Sequence, residues 1–296
     1  MIGFPQYHFW GVTYRFSETW FSMRLIKTVD CQELILAVII AMGFFTPCTV
    51  VRAETVRPTS APAFKVQSSV DFGNAKTGVT SSTTLFDAGK VFDFLENPPE
   101  ITIINWQQNR VSLLNPRANE QVEMSFDVIL RFQERLESQA RLDNDPRRRF
   151  SADPEFDIQL DERHGQLVFT SYWLTYRIKV RDDITPVVVR EFLRFSDLMV
   201  RVNCLLNQGS RLPGPRLRVN QILAEKDVFP EEVMLMTEPR NFLEWLPGRR
   251  SVIRSTHNLV LDLTPEDRTR IKQAEQWSQS FRRVNLIDYQ AKLAAH

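Results

Sequence analysis

The chain has 296 residues, 43% of them hydrophobic and 25% charged, with 37 lysines and arginines against 36 aspartates and glutamates. That is ordinary globular composition, long enough to bury a proper core in one large domain or two small ones. The formal charge of +1 gives no long-range field, which excludes nucleic acid as a partner and leaves membrane contact only to the N-terminal segment.

The segment Leu34 to Ala53, LILAVIIAMGFFTPCTVVRA, reads as the end of an export signal. Arg24 and Lys27 supply a positive start, Leu34 to Phe45 carries no charge, and Pro47 breaks the run. Val51 and Ala53 then occupy the −3 and −1 positions of a small-residue cleavage site, so cleavage is expected after Ala53. Helix from Leu34 to Phe45 would span roughly 18 Å, short of the ~30 Å hydrocarbon core. The alternative is an uncleaved anchor in the inner membrane. Either way the rest of the chain is expected outside the cytoplasm, in the periplasm or envelope. The aromatic-rich residues before Met23 fit no signal, and translation is expected to begin at Met23. Residues 1–53 hold four of the bases and three of the acids, which leaves 33 of each beyond Ala53. Cys31 and Cys48 fall in the signal, so Cys204 is the one cysteine beyond it, and its apolar surroundings predict burial.

Residues 54–82, rich in Ser, Thr, Pro and Ala, read as a flexible tether, and residues 83–296 as a single domain. TTLFDAGKVFDFL, from Thr83, is β in pattern and is stopped by Asn97-Pro98-Pro99. ITIINW and RVSLLN flank the turn Gln107-Gln108-Asn109, and EQVEM gives a third strand, together an antiparallel meander. Ser125 caps a helix whose stripe is Ile129, Phe132, Leu136 and Ala140. Residues 143–154, DNDPRRRFSADP without its flanks, read as an exposed loop in which Arg147, Arg148 and Arg149 are solvated.

EFDIQLDE alternates, turns at Arg163-His164-Gly165, and returns as QLVFTSYWLTYRIKV. Thr185-Pro186 opens a long helix with Val188, Phe192, Phe195, Met199, Val202 and Leu206 on one face, and a shorter helix is expected from Arg216 to about Lys226. EEVMLMTE reads as a strand, and FLEWL, Pro247-Gly248 and RSVIRSTHNLVLDL as a hairpin. Thr264-Pro265-Glu266-Asp267 opens a last helix.

Motifs of chemistry are missing. There is no GxSxG, SxxK, HExxH, CxxC, phosphate-cradling glycine loop or calcium loop. No catalytic, cofactor-binding or metal residue is therefore assigned, and no cofactor is expected. His257, in a strand, reads as a satisfied histidine. Asp153, Glu155, Asp157 and Asp161 have the period of two that a solvated strand face shows. Tyr172, Trp173 and Tyr176 are the candidates for a groove that holds a carbohydrate or lipid, or else pack in the core and its rim.

The run KVFDFLENPPEITIINWQQNRVSLLNPRANEQVEMS, with SYWLTYRIKV, resembles an uncharacterised family of exported proteins from planctomycete-type bacteria. The resemblance covers most of the chain after Ala53 and implies no known activity. The strand-turn-strand from Ile101 to Leu114, followed by a polar hairpin, resembles the LolA-type lipoprotein-carrier fold, an open antiparallel half-barrel lined by helices. It departs from that pattern in the helical pair Pro186 to Lys226 and in the capped helix after the last hairpin. That resemblance implies an apolar-ligand shell.

The expected fold is α+β: a mainly antiparallel sheet, in one form an open half-barrel, with helices packed on one face. The expected function is non-enzymatic, an exported binding or envelope-associated protein with a lipid or another envelope component among its partners. The alternatives are an extracytoplasmic hydrolase using carboxylates and a membrane-anchored interaction module.

Overall fold

The computed structural model describes residues 62–73, 79–207, 211–237 and 252–293. The export segment, Met23, the cleavage site after Ala53 and the FLEWL arm lie outside them. The strands are β1 (Phe64–Asp71), β2 (Val79–Asp87), β3 (Lys90–Leu95), β4 (Glu100–Asn105), β5 (Arg110–Asn115), β6 (Glu120–Ser125), β7 (Asp157–Asp161), β8 (Gln166–Thr170), β9 (Leu174–Arg181), β10 (Phe229–Thr237), β11 (Val252–Val260) and β12 (Arg282–Arg283). The helices are α1 (Phe126–Arg141), α2 (Pro146–Ala152), α3 (Pro186–Leu206), α4 (Gly214–Glu225), α5 (Pro265–Ser280) and α6 (Leu286–Leu293). All strands join one sheet in the order β12-β6-β5-β4-β3-β2-β1-β11-β10-β9-β8-β7, antiparallel except for the β12–β6 pair. The end strands do not pair with each other, so the sheet stays open. The α+β fold with a large, mainly antiparallel open sheet is thus as expected.

Several elements differ from the sequence reading, each for a local reason. Residues 64–71 and 79–82, expected in the tether, are β1 and the start of β2 at the middle of the sheet, and Phe64 and Val66 are fully buried. TTLFDAGKVFDFL is two strands, divided at Ala88 and Gly89, whose φ values of 49° and 75° suit a two-residue hairpin turn. Residues 146–152, expected as loop, are helical: the Asp145 carboxylate accepts the Arg147 N–H at 2.9 Å and Pro146 occupies the first turn. The partners of β11 are β10 and β1. The sequence reading had no β12 or α6.

Alternation along the strands gives the sheet two apolar faces. On the inner face Phe64, Phe86, Val91, Ile104, Val111 and Met124 lie opposite one another in a row across six strands. Ile129 of α1 and Val188, Phe192, Phe195, Leu198, Val202 and Leu205 of α3 belong to the same core, and Phe195 meets Phe86 edge-on at 5.7 Å. On the outer face Leu85, Phe92, Phe94, Ile101, Ile103 and Leu114 pack under Ile271 and Ala274 of α5 and Phe281 at its C-cap. So α1 to α4 and α6 cover the inner face, while α5 takes the other. A capping box between Thr264 and Asp267 starts α5, and Lys65 pairs with Asp267 at 2.8 Å. Cys204 is buried, as its surroundings predict.

The first turn of α4 sits against the backbone of α2, where a Cβ on Gly214 would collide with the Ser151 carbonyl oxygen. Gly214→Ala should cost about 1–3 kcal/mol by forcing that contact apart. Urea unfolding measures it, and a variant as stable as the wild type would show that α4 tolerates displacement.

Candidate functional site

Toward the other end of the same strands the inner face becomes polar. One row runs Leu259, Val66, Thr84, Asp93, Thr102, Leu113 and Val122, and the next runs His257, Ser68, Ser82, Leu95 and Glu100. Asp93 and Glu100 therefore lie diagonally on adjoining strands and on the same face. The Thr84 hydroxyl donates to Asp93 Oδ1 at 2.7 Å, and the Tyr289 hydroxyl of α6 donates to Glu100 Oε2 at 3.0 Å. Burial pushes Asp93 up to about 6 against the hydroxyl bonds from Thr84 and Ser82. Burial, with the Asp93 charge beside it, pushes Glu100 up to about 7 against the Tyr289 bond. Burial and the Glu100 charge drive the Tyr289 phenol well above its ordinary range.

A second group of polar side chains lies between α3, α4 and strands β9 to β11. His257 Nδ1 is 2.9 Å from Ser68 Oγ and Nε2 is 3.4 Å from Ser255 Oγ, with the ring edge-on to Phe192 at 5.2 Å. Burial, then the Arg216 guanidinium, pushes His257 down to about 3, so the ring is neutral. A histidine so weakly basic cannot activate Ser68, and no nucleophile–base pair results. Asp197 accepts Asn220 Nδ2 at 2.8 Å, and burial raises its carboxyl against that bond and the charges of Arg201 and Arg216. Burial lowers Arg216, and Tyr176 and Asp197 oppose that shift.

At the β7 edge, beyond these groups, a half-open cleft of about 270 Å³ lies between α4 and the β7 edge, lined by Pro154, Glu155, Phe156, Ile158, Arg218 and Ile222. Ile158 is 37% exposed and Leu160, next along the same face, 60%. Phe156 carries this apolar wall inward, with rings 6.1 Å from both Phe169 and Tyr176.

The three aromatics singled out from the sequence do not share one surface. Tyr172 and Trp173 lie in the turn between β8 and β9, which Ser171 Oγ closes by donating to the Leu174 carbonyl. Tyr172 is 81% exposed and meets Trp173 edge-on at 4.6 Å; the Arg147 guanidinium covers Trp173 at 4.8 Å. Tyr176 alone faces inward and is 5% exposed. Asp153, Glu155 and Asp157 are exposed, and Asp161 bonds His164 at 2.8 Å. Sequence reasoning missed Asp93, Glu100, Tyr289 and Arg216. The legible signal was Asp93, an acid on the inward position of KVFDFL between buried Val91 and half-buried Leu95.

Among the described residues no three or more His, Cys, Asp or Glu side chains gather as a metal group, and no helix is long and apolar enough to cross a membrane. No family model matches the chain, and no curated protein does. Among solved structures, a LolA superfamily protein from Nitrosomonas europaea is similar over 71% of this chain and 90% of its own, at 8% identity and a TM-score of 0.27. At that distance it assigns no residue here a role.

The carboxyl pair gives a pH signature. Both groups hold their protons above the unfolded values near 4, so their stabilisation is full below about pH 4 and is lost as pH rises through 6 and 7. Asp93→Asn with Glu100→Gln should flatten that loss, on the order of 2 kcal/mol per group between pH 5 and 8. Thermal melts across this range test it, and parallel profiles for wild type and double variant would refute it.

Proposed function

We propose that this chain is an exported, non-enzymatic binding protein of the cell envelope, of the planctomycete-type family it resembles, that takes an apolar or amphiphilic ligand. The observation that carries this reading is the cleft beside β7: an apolar wall of Pro154, Phe156, Ile158 and Ile222, open to solvent, with one cation and one anion at Arg218 and Glu155. Solvent-facing apolar side chains against an edge strand that no other strand covers favour a ligand over further packing. Tyr176 packs behind Phe156 in the core, so none of the three aromatics of the expected groove lines this cleft.

Two measurements test it. Native mass spectrometry of protein recovered from the envelope should show a co-purifying lipid. The fluorophore N-phenyl-1-naphthylamine should bind saturably, and Ile158→Asp should weaken it at least tenfold, since burying an apolar side chain contributes about 1.5–3 kcal/mol. Repeated recovery of empty protein that gives no saturable fluorescence overturns the reading.

An extracytoplasmic hydrolase has one observation in its favour: Asp93 and Glu100, two carboxyls that retain protons near neutrality on adjoining strands. That role predicts turnover of p-nitrophenyl glycosides or esters that Glu100→Gln and Asp93→Asn each abolish. Absence of turnover in the wild type would leave the pair a structural one.

A further inference from the structure

The cleft between α4 and the β7 edge carries two opposite charges that do not meet. Glu155 and Arg218 both line it, and among the described residues no ion pair joins them. Arg218 gives Nη1 to the amide oxygen of Gln221 at 2.9 Å, while Glu155 has no hydrogen-bond or ion-pair partner among the described residues. They come to the cleft from its two walls. Glu155 stands just ahead of β7, between Pro154 and Phe156. On the helix, Gly214, Arg218 and Ile222 follow one another a turn apart along one side of α4, and a Cβ on Gly214 would lie 3.5 Å from Pro154 Cδ. Arg218 is thus one turn along from the point where α4 meets Pro154. The rest of the wall is apolar, with Phe156 and Ile158 on the strand side and Ile222 on the helix. Leu160, 60% exposed, continues the face of Ile158, so Phe156 to Leu160 offers an apolar track roughly 13 Å long.

These charges discriminate among ligands that the apolar wall alone would treat alike. An anionic headgroup gains from Arg218 and is opposed by Glu155, and a cationic headgroup meets the reverse, so for either the two effects offset each other. A headgroup that carries both signs gains from both residues. Its anion suits the planar guanidinium fork, and its cation suits the carboxylate. We propose that the cleft selects a single-chain zwitterionic amphiphile, with its anionic group on Arg218, its cationic group on Glu155 and its chain along Phe156, Ile158 and Leu160. This rests on the reading of the cleft as a ligand site and adds the class of headgroup. Both residues are exposed, where one ion pair changes affinity by only about threefold, so the two together give about tenfold.

Displacement of bound N-phenyl-1-naphthylamine by decylphosphocholine, decyl sulfate and decyltrimethylammonium, each below its micelle-forming concentration, tests it. The three chains are equal, so differences report the headgroup. Wild type should release the fluorophore at about tenfold less decylphosphocholine than either singly charged probe. Arg218→Gln should bring the cationic probe level with the zwitterion, and Glu155→Gln should do the same for the anionic probe. Salt of about 1 M, which screens exposed charges within a few ångströms, should draw the three probes together in the wild type without any substitution. Equal release by all three probes in low salt, a wild-type preference for one singly charged probe, or an order that either variant leaves unmoved overturns the proposal. If the fluorophore itself binds saturably in such a case, the cleft remains a ligand site and only the headgroup assignment fails. Absence of saturable fluorophore binding removes the cleft reading and this one with it.

Discussion

The stripe of α3 is seated on a row of side chains, Phe64, Phe86, Val91, Ile104, Val111 and Met124, that crosses six strands, and the other inner-face groups take their positions from that seat. Ridges of α3 at Val188, Phe192, Phe195, Leu198, Val202 and Leu205 can occupy the row only while neighbouring strands keep register, because a slip of one residue would turn Phe86 and Val91 outward and Leu85 and Phe92 inward. Such a slip would gain nothing by hydrophobicity alone, since both faces are apolar in β2 to β4. Shape and the polar rows decide it. Turned outward, Asp93 would lie under α5, among Phe92 and Phe94's present neighbours, without Thr84.

That placement of the acids follows from the length of α3 and from what covers the strands beyond it. Where α3 no longer fills the space, the strands carry Ser68, Ser82, Thr84, Asp93, Thr102 and Glu100, and the hydroxyls bond the carboxyls. Half-burial leaves them partly desolvated without the counter-charge that would hold them ionised, and their protons stay on toward neutral pH. Tyr289 then closes the group from α6, and Gln290 ties the same helix to the Leu206 carbonyl at the end of α3 at 2.5 Å. The polar band is thus pinned to the apolar core through one short helix.

Much of this was legible from local pattern. Helix α3 has strong apolar periodicity and α5 a capping box, and the meander from β4 to β6 was read nearly to the residue. Its two loops share a form the sequence also displays: in NWQQN and NPRAN the first asparagine caps two following N–H groups and the last takes a φ near +50°. What escaped lacked periodicity. In β1 only Phe64 meets the apolar row; Val66 lies opposite Thr84 and Ser68 opposite Ser82, so FKVQSSVD looks like a tether. QLVFTSYWLTYRIKV reads as one strand because its pivot at Ser171 to Trp173 is made of strand-forming residues, and the pivot sends Tyr172 out while Tyr176 goes in. The group around Arg216 joins β9, β11, α3 and α4, separations that no spacing rule reaches.

The two ends of the sheet explain why the cleft is accessible. At one end Arg282 pairs with Glu120, and Arg283 with Glu123, so β12 covers β6 for two residues and an ion pair holds Glu123 beyond them. At the other end β7 alternates Asp157, Gln159 and Asp161 with Ile158 and Leu160. The acids discourage a second strand, above all a second copy of β7, which would set carboxylates opposite carboxylates. Backbone pairing is thereby opposed at the same edge where the apolar side chains stay open. An occupant of that wall would meet the side chains from the inner face, beside α4, and not the strand's outer edge.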